Sequence, residues 1–226
     1  MPQLIVALGL LLFGAACAEP PIDPEGTLQR VTGGTIRAGI TDNPPWTIVR
    51  DTMEGVEVAL IEELAEELDA QVEWTEGSEE ELYGALAVGQ LDVVVGGFSA
   101  QSPYSQHAAF TYPYFTSRIV VVGKFDLEDI AGVPVAVEAH SEAAGLLAKT
   151  DAVVKLVDDV AQGHSYVAIE DWRYDPLAVR ETGVVLKKTD HVMAVPLGEN
   201  GWMVTLEKFL LERASDVPHL LDEAES

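Results

Sequence analysis

Apolar and polar residues recur along this chain with the periods of helices and of strands in turn. Val56, Leu60, Leu64 and Leu68 stand at every fourth position with glutamates between them, which predicts an amphipathic helix over 56–69. Uninterrupted apolar runs predict buried strands. These strands are expected at 35–40, 71–75, 91–95, 119–123, 133–137, 153–157, 166–169 and 184–187. Strands that alternate with helices favour an α/β fold with largely parallel sheets.

Capping residues predict where further helices begin. Residues 78–81 read S-E-E-E, the capping-box pattern, and start a helix that ends by Gly89. Ser141 is expected to cap a helix that extends to Lys149. Two more helices are expected at 175–181 and 201–213. The elements thus form two α/β units, and a cleft between two such units is a usual place for a small ligand.

The first residues differ from the rest of the chain. Residues 4–13 are apolar but too few for a permanent membrane span, and small residues follow them, which predicts a secretory signal peptide over 1–17. Two cleavage sites for this signal peptide fit the sequence. Cleavage before Cys17 would make it the lipidated first residue of a lipoprotein, whereas cleavage after Ala18 would use residues 16–18 as an ordinary A-x-A site. Both predict an exported protein, in the periplasm or at the outer cell surface, with 18–33 as a tether.

Composition narrows the classes of function. The chain has 226 residues, 48% of them hydrophobic, which allows one or two packed domains. Its net charge of -25 repels nucleic acid and anionic lipid surfaces. Because the acids lie on predicted helix faces, we interpret them as a solvated surface; a site for cationic cargo is the alternative.

The side chains that would support catalysis or metal binding are scattered or missing from the sequence. A single cysteine excludes an internal disulfide. The chain has no G-x-S-x-G, H-E-x-x-H or P-loop motif, and its five histidines are far apart. We therefore expect no metal and no cofactor.

Several short motifs together resemble one protein family. In chain order they are Pro44-Pro45-Trp46, Gly55 with Glu57, the strand and turn at 91–99, the F-T-Y-P-Y segment at 110–114, and the segment 129–137. Each is weak alone, but their order and spacing resemble bacterial extracellular solute-binding proteins of family 3, the polar amino-acid binders of ABC importers. The resemblance covers about residues 34–213.

This resemblance implies a two-lobed fold of the periplasmic-binding-protein type, each lobe a mainly parallel sheet flanked by helices. Lobe one would comprise 34–117 with 190–226, and lobe two 118–189, with a hinge of two strands between them. Lobe two is expected to be shortened, because only three residues follow Asp159 before Gly163. The implied mechanism is closure of a monomer around a small polar solute, followed by docking on membrane permease subunits.

The resemblance also implies site residues. Gly97 and Ser99 match the positions that hold the ligand at the end of a strand, although a plain turn is the alternative. Trp46 corresponds to an aromatic residue near the cleft mouth, or is simply buried structure. Asp171 corresponds to an acid that holds the ligand's ammonium, or forms a surface salt bridge.

One position departs from the family pattern. Tyr104 stands where an arginine usually binds the ligand's α-carboxylate, and a phenol cannot replace a bidentate, permanently charged group. Tyr104 is still a candidate for lining the cleft, and Arg118 is a candidate source of the missing charge. An α-amino acid ligand therefore does not follow from the family alone.

Two rival functions use the same fold. A secreted enzyme resembling cyclohexadienyl dehydratase would need a general acid or base in the cleft, for which Glu170 or Asp171 is the candidate. A sensor subunit would report its ligand to a separate membrane kinase. We favour the binding protein, without enzymatic activity.

Overall fold

The structure is a computed structural model that describes residues 21–104, 106–127, 129–160, 163–174 and 178–224. The predicted signal peptide and its Cys17 lie outside the described residues. Within the described ranges the strands are β1 (Thr35–Ile40), β2 (Ile48–Val49), β3 (Met53–Glu54), β4 (Gln71–Glu76), β5 (Val93–Val95), β6 (Ala109–Phe110), β7 (Phe115–Gly123), β8 (Pro134–Glu138), β9 (Val153–Val157), β10 (Tyr166–Glu170), β11 (Arg180–His191) and β12 (Ala194–Val195). The helices are α1 (Thr27–Val31), α2 (Val56–Glu67), α3 (Glu79–Ala87), α4 (Glu142–Leu147), α5 (Asn200–Arg213) and α6 (Val217–Ala224).

Two five-stranded sheets form the cores of two lobes, which confirms the two-lobed α/β fold. The sheet of lobe one has the order β4-β1-β5-β12-β6, and that of lobe two the order β11-β7-β10-β8-β9. Three neighbouring strands run parallel in each sheet, and the others pair antiparallel. Both sheets are therefore mixed, with β7 and β11 antiparallel to their neighbours in lobe two and β12 antiparallel to its neighbours in lobe one.

The long strands β7 and β11 connect the two lobes. They pair antiparallel, with His191 opposite Phe115 at one end and Arg180 opposite Gly123 at the other. The predicted helix at 175–181 is wrong where the structure describes it, since Arg180 and Glu181 belong to β11. The β-branched residues and the pairing with β7 extend this strand well beyond the predicted 184–187.

Lobe one is built around a large apolar core. Leu60, Ile61 and Leu64 of α2 are buried against the sheet, as the periodicity predicts. From α5, Trp202 is fully buried, and its indole Nε1 donates a hydrogen bond of 2.7 Å to the carbonyl oxygen of Asp92. Helix α6, which the sequence does not predict, adds Leu221 to the same core.

The segment predicted as a tether folds onto lobe one from Asp23 onward. The Asp23 carboxylate accepts hydrogen bonds from the backbone N–H groups of Gly201 and Trp202, at the start of α5. The buried Glu199 carboxylate accepts from the N–H groups of Glu25 and Thr27, both at 3.0 Å. Carboxylates thus satisfy the free amides at the starts of α5 and α1.

Among the helices that the structure describes, none combines enough residues with enough apolar character to cross a bilayer.

Candidate functional site

A cleft of about 320 Å³ lies between the two lobes. Lobe one, the strands β7 and β11, and lobe two all contribute side chains to it. Its lining residues are Asn43, Pro44, Pro45, Trp46, Gly97, Ser117, Ile119, Ser141, Glu142, Glu170, Trp172, Arg173, Lys187, Thr189 and His191. Aromatic rings, hydroxyl groups and both signs of charge therefore border one space.

The turn at the end of β5 forms the base of the cleft on the side of lobe one. Gly97 has a φ of +65°, and a Cβ atom there would lie 2.7 Å from Nδ2 of Asn43 and 2.8 Å from Cδ1 of Trp46. Neither the backbone angle nor the space allows another residue. The close packing around Gly97 therefore requires glycine.

The carboxylate of Glu57 fixes the turn after β5 through hydrogen bonds to its backbone. It lies in the first turn of α2 and is fully buried, and its Oε2 accepts hydrogen bonds from the N–H groups of Gly96 (2.7 Å) and Gly97 (2.8 Å). Its Oε1 accepts from the hydroxyl of Tyr114 at 2.7 Å. Burial raises the pKa of Glu57 to about 7, although the hydrogen bonds from Gly97, Tyr114 and Gly96 act in the opposite direction.

Because Glu57 takes the amide of Gly97, that N–H is not available to a ligand. The sequence contains the signal for this contact, an acid two residues after Gly55 at a helix start, yet the pairing with residues 96 and 97 depends on the fold.

His191 is a cleft residue that the sequence analysis missed. Its ring stacks on Trp46 with centroids 3.6 Å apart, and its Nε2 is 2.7 Å from Oγ of Ser117. This second contact joins the end of β11 to the start of β7. Burial lowers the pKa of His191 to about 4, while the backbone of Gly97 acts to raise it, so the ring is neutral near pH 7. Histidines at scattered positions carry no local signal that could have identified it.

The Ser117–His191 pair resembles a nucleophile and its base but lacks the parts that would activate it. Nδ1 of His191 is buried without a hydrogen-bond partner of good geometry among the described residues, so no carboxylate orients the ring. Its lowered pKa makes it a weak base, and the nearby Gly96 and Gly97 amides already bind Glu57. The pair is therefore better suited to joining the two strands than to nucleophilic catalysis.

Lobe two contributes the charged side of the cleft. Arg173 Nη1 is 3.1 Å from Oε2 of Glu170, and its Nη2 is 3.1 Å from Oε2 of Glu138. Lys187 Nζ is 2.6 Å from Oε1 of Glu142. These pairs are partly exposed, and solvated pairs exchange partners at small cost, so they remain able to meet a charged ligand.

Of the six residues predicted to bind the ligand, two line the cleft and one lies beside it, and Glu170, the candidate acid or base of the rival enzyme, is in the lining as well. Trp46 and Gly97 are in the lining, and Trp46 is 5% exposed because His191 covers one face of its ring. Ser99 lies at a neighbouring, smaller cavity of about 190 Å³ and forms an isolated bridge with His191.

Three other predicted residues lie elsewhere. The ring of Tyr104 stacks on Tyr83, with centroids 4.9 Å apart, within a second apolar cluster of lobe one. Arg118 and Asp171 bind each other, Nε to Oδ2 at 2.9 Å, and Arg118 also binds Glu181 through two hydrogen bonds. All three are absent from the described lining of the cleft.

The alternation of side chains along a strand explains this placement. Ser117 and Ile119 of β7 face the cleft, so Arg118 between them points to the other side of the sheet. In the turn after β10, Glu170 and Trp172 line the cleft, whereas the Asp171 carboxylate binds Arg118. The acid that lines the cleft, Glu170, is therefore the residue directly before Asp171, which the family pattern indicates.

Metal binding has no support in this part of the chain: among the described residues, histidine, cysteine and acidic side chains form no group of three that could hold an ion.

Comparison with known families identifies the module. The model of the bacterial extracellular solute-binding proteins, family 3, matches residues 36–216, which includes both lobes and both connecting strands. This chain belongs to that family. A relative from Campylobacter jejuni, a probable histidine-binding protein, is 28% identical over 109 residues, which are 47% of this chain and 43% of the relative. The chain thus matches less than half the length of that relative.

Solved structures share the fold of this family member. The L-cystine solute receptor of Neisseria gonorrhoeae, in an unliganded open conformation, has a TM-score of 0.62 at 21% identity and covers 84% of this chain and 91% of its own. An ancestral cationic amino acid solute-binding protein has a TM-score of 0.63 at 19% identity, with 88% and 97% covered. At these identities the likeness concerns the fold alone.

Proposed function

We propose that this family member binds a small polar solute, amino-acid-like in its chemistry, in the cleft between its lobes and delivers it to an ABC importer. The observation that carries the proposal is that both lobes and both connecting strands line one cleft. A solute bound there contacts both lobes at once, and it therefore stabilises a closed arrangement relative to an open one.

The charges of the cleft favour a zwitterionic solute. Glu142 and Glu170 can exchange their present partners for the ammonium group of a solute, and Lys187 and Arg173 can exchange theirs for its carboxylate. The names of the relatives, which refer to histidine, cystine and cationic amino acids, support the same class. Because Tyr104 and Arg118 lie outside the lining, we assign the carboxylate contact to lobe two.

The test is a binding screen of the purified protein by thermal shift and calorimetry. The panel contains L-histidine, L-cystine, L-arginine, polyamines and organic acids. A solute at about 100 times its Kd raises stability by about 2.7 kcal/mol. If none of the amino acids raises the melting temperature, the amino-acid assignment is wrong.

A pair of matched variants then locates the site. Glu170→Gln removes a charge from the cleft, and we expect at least about a tenfold loss of affinity for the amino acid that binds best. Glu181→Gln removes a charge of lobe two outside the lining and should retain affinity. Equal losses in both variants would contradict the assignment of the cleft.

We also propose that the protein releases its bound solute chemically unchanged. Each carboxylate of the cleft is bound to a cation, Glu142 to Lys187 and Glu170 to Arg173, and we interpret these carboxylates as groups that bind a solute and do not transfer a proton to it or from it. Incubation with cyclic carboxylic acids, followed by NMR, should show only starting material. A new product signal that disappears in Glu170→Gln would establish the dehydratase instead.

Export through the predicted signal peptide is the remaining part of the proposal, with Cys17 as the site of a lipid anchor. Membership in an extracellular family supports it. Cells that express the full chain should incorporate labelled palmitate into the protein, and Cys17→Ser should abolish the label. Secretion without label in the unaltered chain would favour cleavage at an ordinary A-x-A site.

A further inference from the structure

Trp172 belongs to lobe two but packs against lobe one. Its ring centroid is 6.0 Å from that of Trp46, with the two planes at 79°. It also packs against the apolar core of lobe one, in which Trp46 and Tyr114 are buried. This edge-to-face contact therefore joins the two lobes directly through protein side chains.

The turn that carries Trp172 is fixed to lobe two on both sides. Before it, Asp171 binds the backbone N–H and the guanidinium of Arg118, and its own N–H donates to the Arg118 carbonyl at 2.9 Å. After it, Arg173 binds Glu170 and Glu138. Trp172 is thus held so that its ring moves together with lobe two.

The indole N–H of Trp172 distinguishes this contact from ordinary core packing. Its Nε1 is buried and has no hydrogen-bond partner among the described residues. The indole of Trp202, in the core of lobe one, instead donates to the Asp92 carbonyl at 2.7 Å. Buried donors are nearly always paired, so the contact of the Trp172 ring with lobe one rests on apolar packing alone and leaves a donor unsatisfied.

We propose that Trp172 is an affinity-determining residue that acts as an internal competitor of the solute. By packing on Trp46 it holds the lobes in contact, and it has to move before a solute can reach that ring. A solute with an oxygen acceptor compensates for the lost contact, since it can pair with the indole N–H. If the contact is formed about nine-tenths of the time, it weakens binding about tenfold. Only this weakening of solute binding rests on the proposed function; the contact between the lobes does not.

The first test is small-angle scattering of the purified protein without added solute. Trp172→Ala should increase the radius of gyration, because the contact between the lobes is lost. Trp172→Phe keeps a ring and should leave the radius unchanged. Trp74→Ala is the matched control, since Trp74 packs against the same core from β4, away from the cleft. Equal radii for Trp172→Ala and the unaltered protein would overturn the proposal.

The second test does not depend on the folding of the alanine variant. In protein labelled with ¹⁵N-tryptophan, the Trp172 indole signal is identified by its absence in Trp172→Phe. We expect its N–H to exchange slowly with water; rapid exchange would show that the ring is in solvent and overturn the proposal. Neither test uses a solute, so their failure and that of the binding screen are distinguishable.

Discussion

The two lobes bury their polar groups in different ways. In lobe one the carboxylates of Glu57, Asp92 and Glu199 are all at most 3% exposed, and each accepts several hydrogen bonds. In lobe two the charges of Arg118 and Asp171 keep 35% and 15% of their side chains exposed. Lobe one is therefore built as a fixed surface for the cleft, whereas lobe two is held by contacts that water can replace.

Apolar packing follows the same division. The core of lobe one includes residues of α2, α5 and α6 on one side of its sheet. A second cluster of lobe one, around α3, packs on the other face of that sheet. Lobe two also has two apolar clusters, one of them packed by the short helix α4, but each has fewer buried residues than its counterpart in lobe one. A smaller core with fewer buried groups leaves lobe two as the part that opens more readily.

The largest effect should come from the core of lobe one. Trp202→Ala removes a fully buried side chain and its hydrogen bond to the Asp92 carbonyl, and we expect a loss of about 3–5 kcal/mol in the free energy of unfolding. Denaturant titration measures it. Trp202→Phe keeps most of the volume and should cost about 1 kcal/mol. Similar values for both would show that the hydrogen bond, and not the packing, dominates.

A truncation in lobe two should have a smaller and local effect. Leu147, the last residue of α4, is fully buried, and Leu147→Ala should cost about 3 kcal/mol. Hydrogen exchange should accelerate in β8 and β10 while β1 and β5 keep their protection. The control is Val153→Ala at an exposed position of the same lobe, with an effect within about 0.5 kcal/mol. Equal acceleration in both lobes would remove the distinction between them.

How far the sequence predicts this molecule depends on the range of the interactions. The capping box at Ser78 forms as expected, with its hydroxyl and the Glu81 carboxylate bound to each other's N–H groups, because the signal lies within four residues. The base of the cleft joins Glu57, Gly97 and His191, which are far apart in sequence. No local pattern specifies such contacts, so they depend on sheet order and register.

Errors of one residue have large consequences in a strand. Arg118 lies between Ser117 and Ile119, which line the cleft, and is itself absent from the described lining, since its side chain is on the other face of the sheet. The wrong helix at 175–181 has a related cause. Residues with helical propensity near Arg180 are taken into β11 because β7 offers them a partner strand, although the register shifts between Glu181 and Val185 and again before Lys187.

The dependence of stability on pH tests the buried polar centre of lobe one. The pKa of Glu57 is raised to about 7, so the folded state binds a proton that the unfolded state has already lost, and its contribution to stability falls as pH rises from about 4.5 to about 7. Relative to the unaltered protein, Glu57→Gln should therefore gain stability over this window, at most about 1.4 kcal/mol per pH unit. Parallel curves for the two proteins would contradict the raised pKa.

His191 should make the stability of the folded protein depend on pH with the opposite sign. Its pKa is lowered to about 4, so the stability that it contributes is present above about pH 6.5 and is lost as pH falls toward 4. Relative to the unaltered protein, His191→Gln should gain stability as the pH falls through this window. Denaturant midpoints measured from pH 4 to pH 8 follow both variants. A loss in place of that gain would mean that the folded protein keeps His191 protonated.

The smallest effect on stability should come from substitutions in β7, where Arg118 and Ser117 lie on opposite faces of the strand. Arg118→Gln breaks the pairs with Asp171 and Glu181, but a third of the side chain is exposed, so we expect a cost of at most about 1 kcal/mol in stability. Affinity for the amino acid that binds best should not change. Ser117→Ala, one residue away, removes the contact with His191 inside the cleft and should weaken binding. If Arg118→Gln alone abolishes binding in a folded protein, the cleft lies on the other face of lobe two.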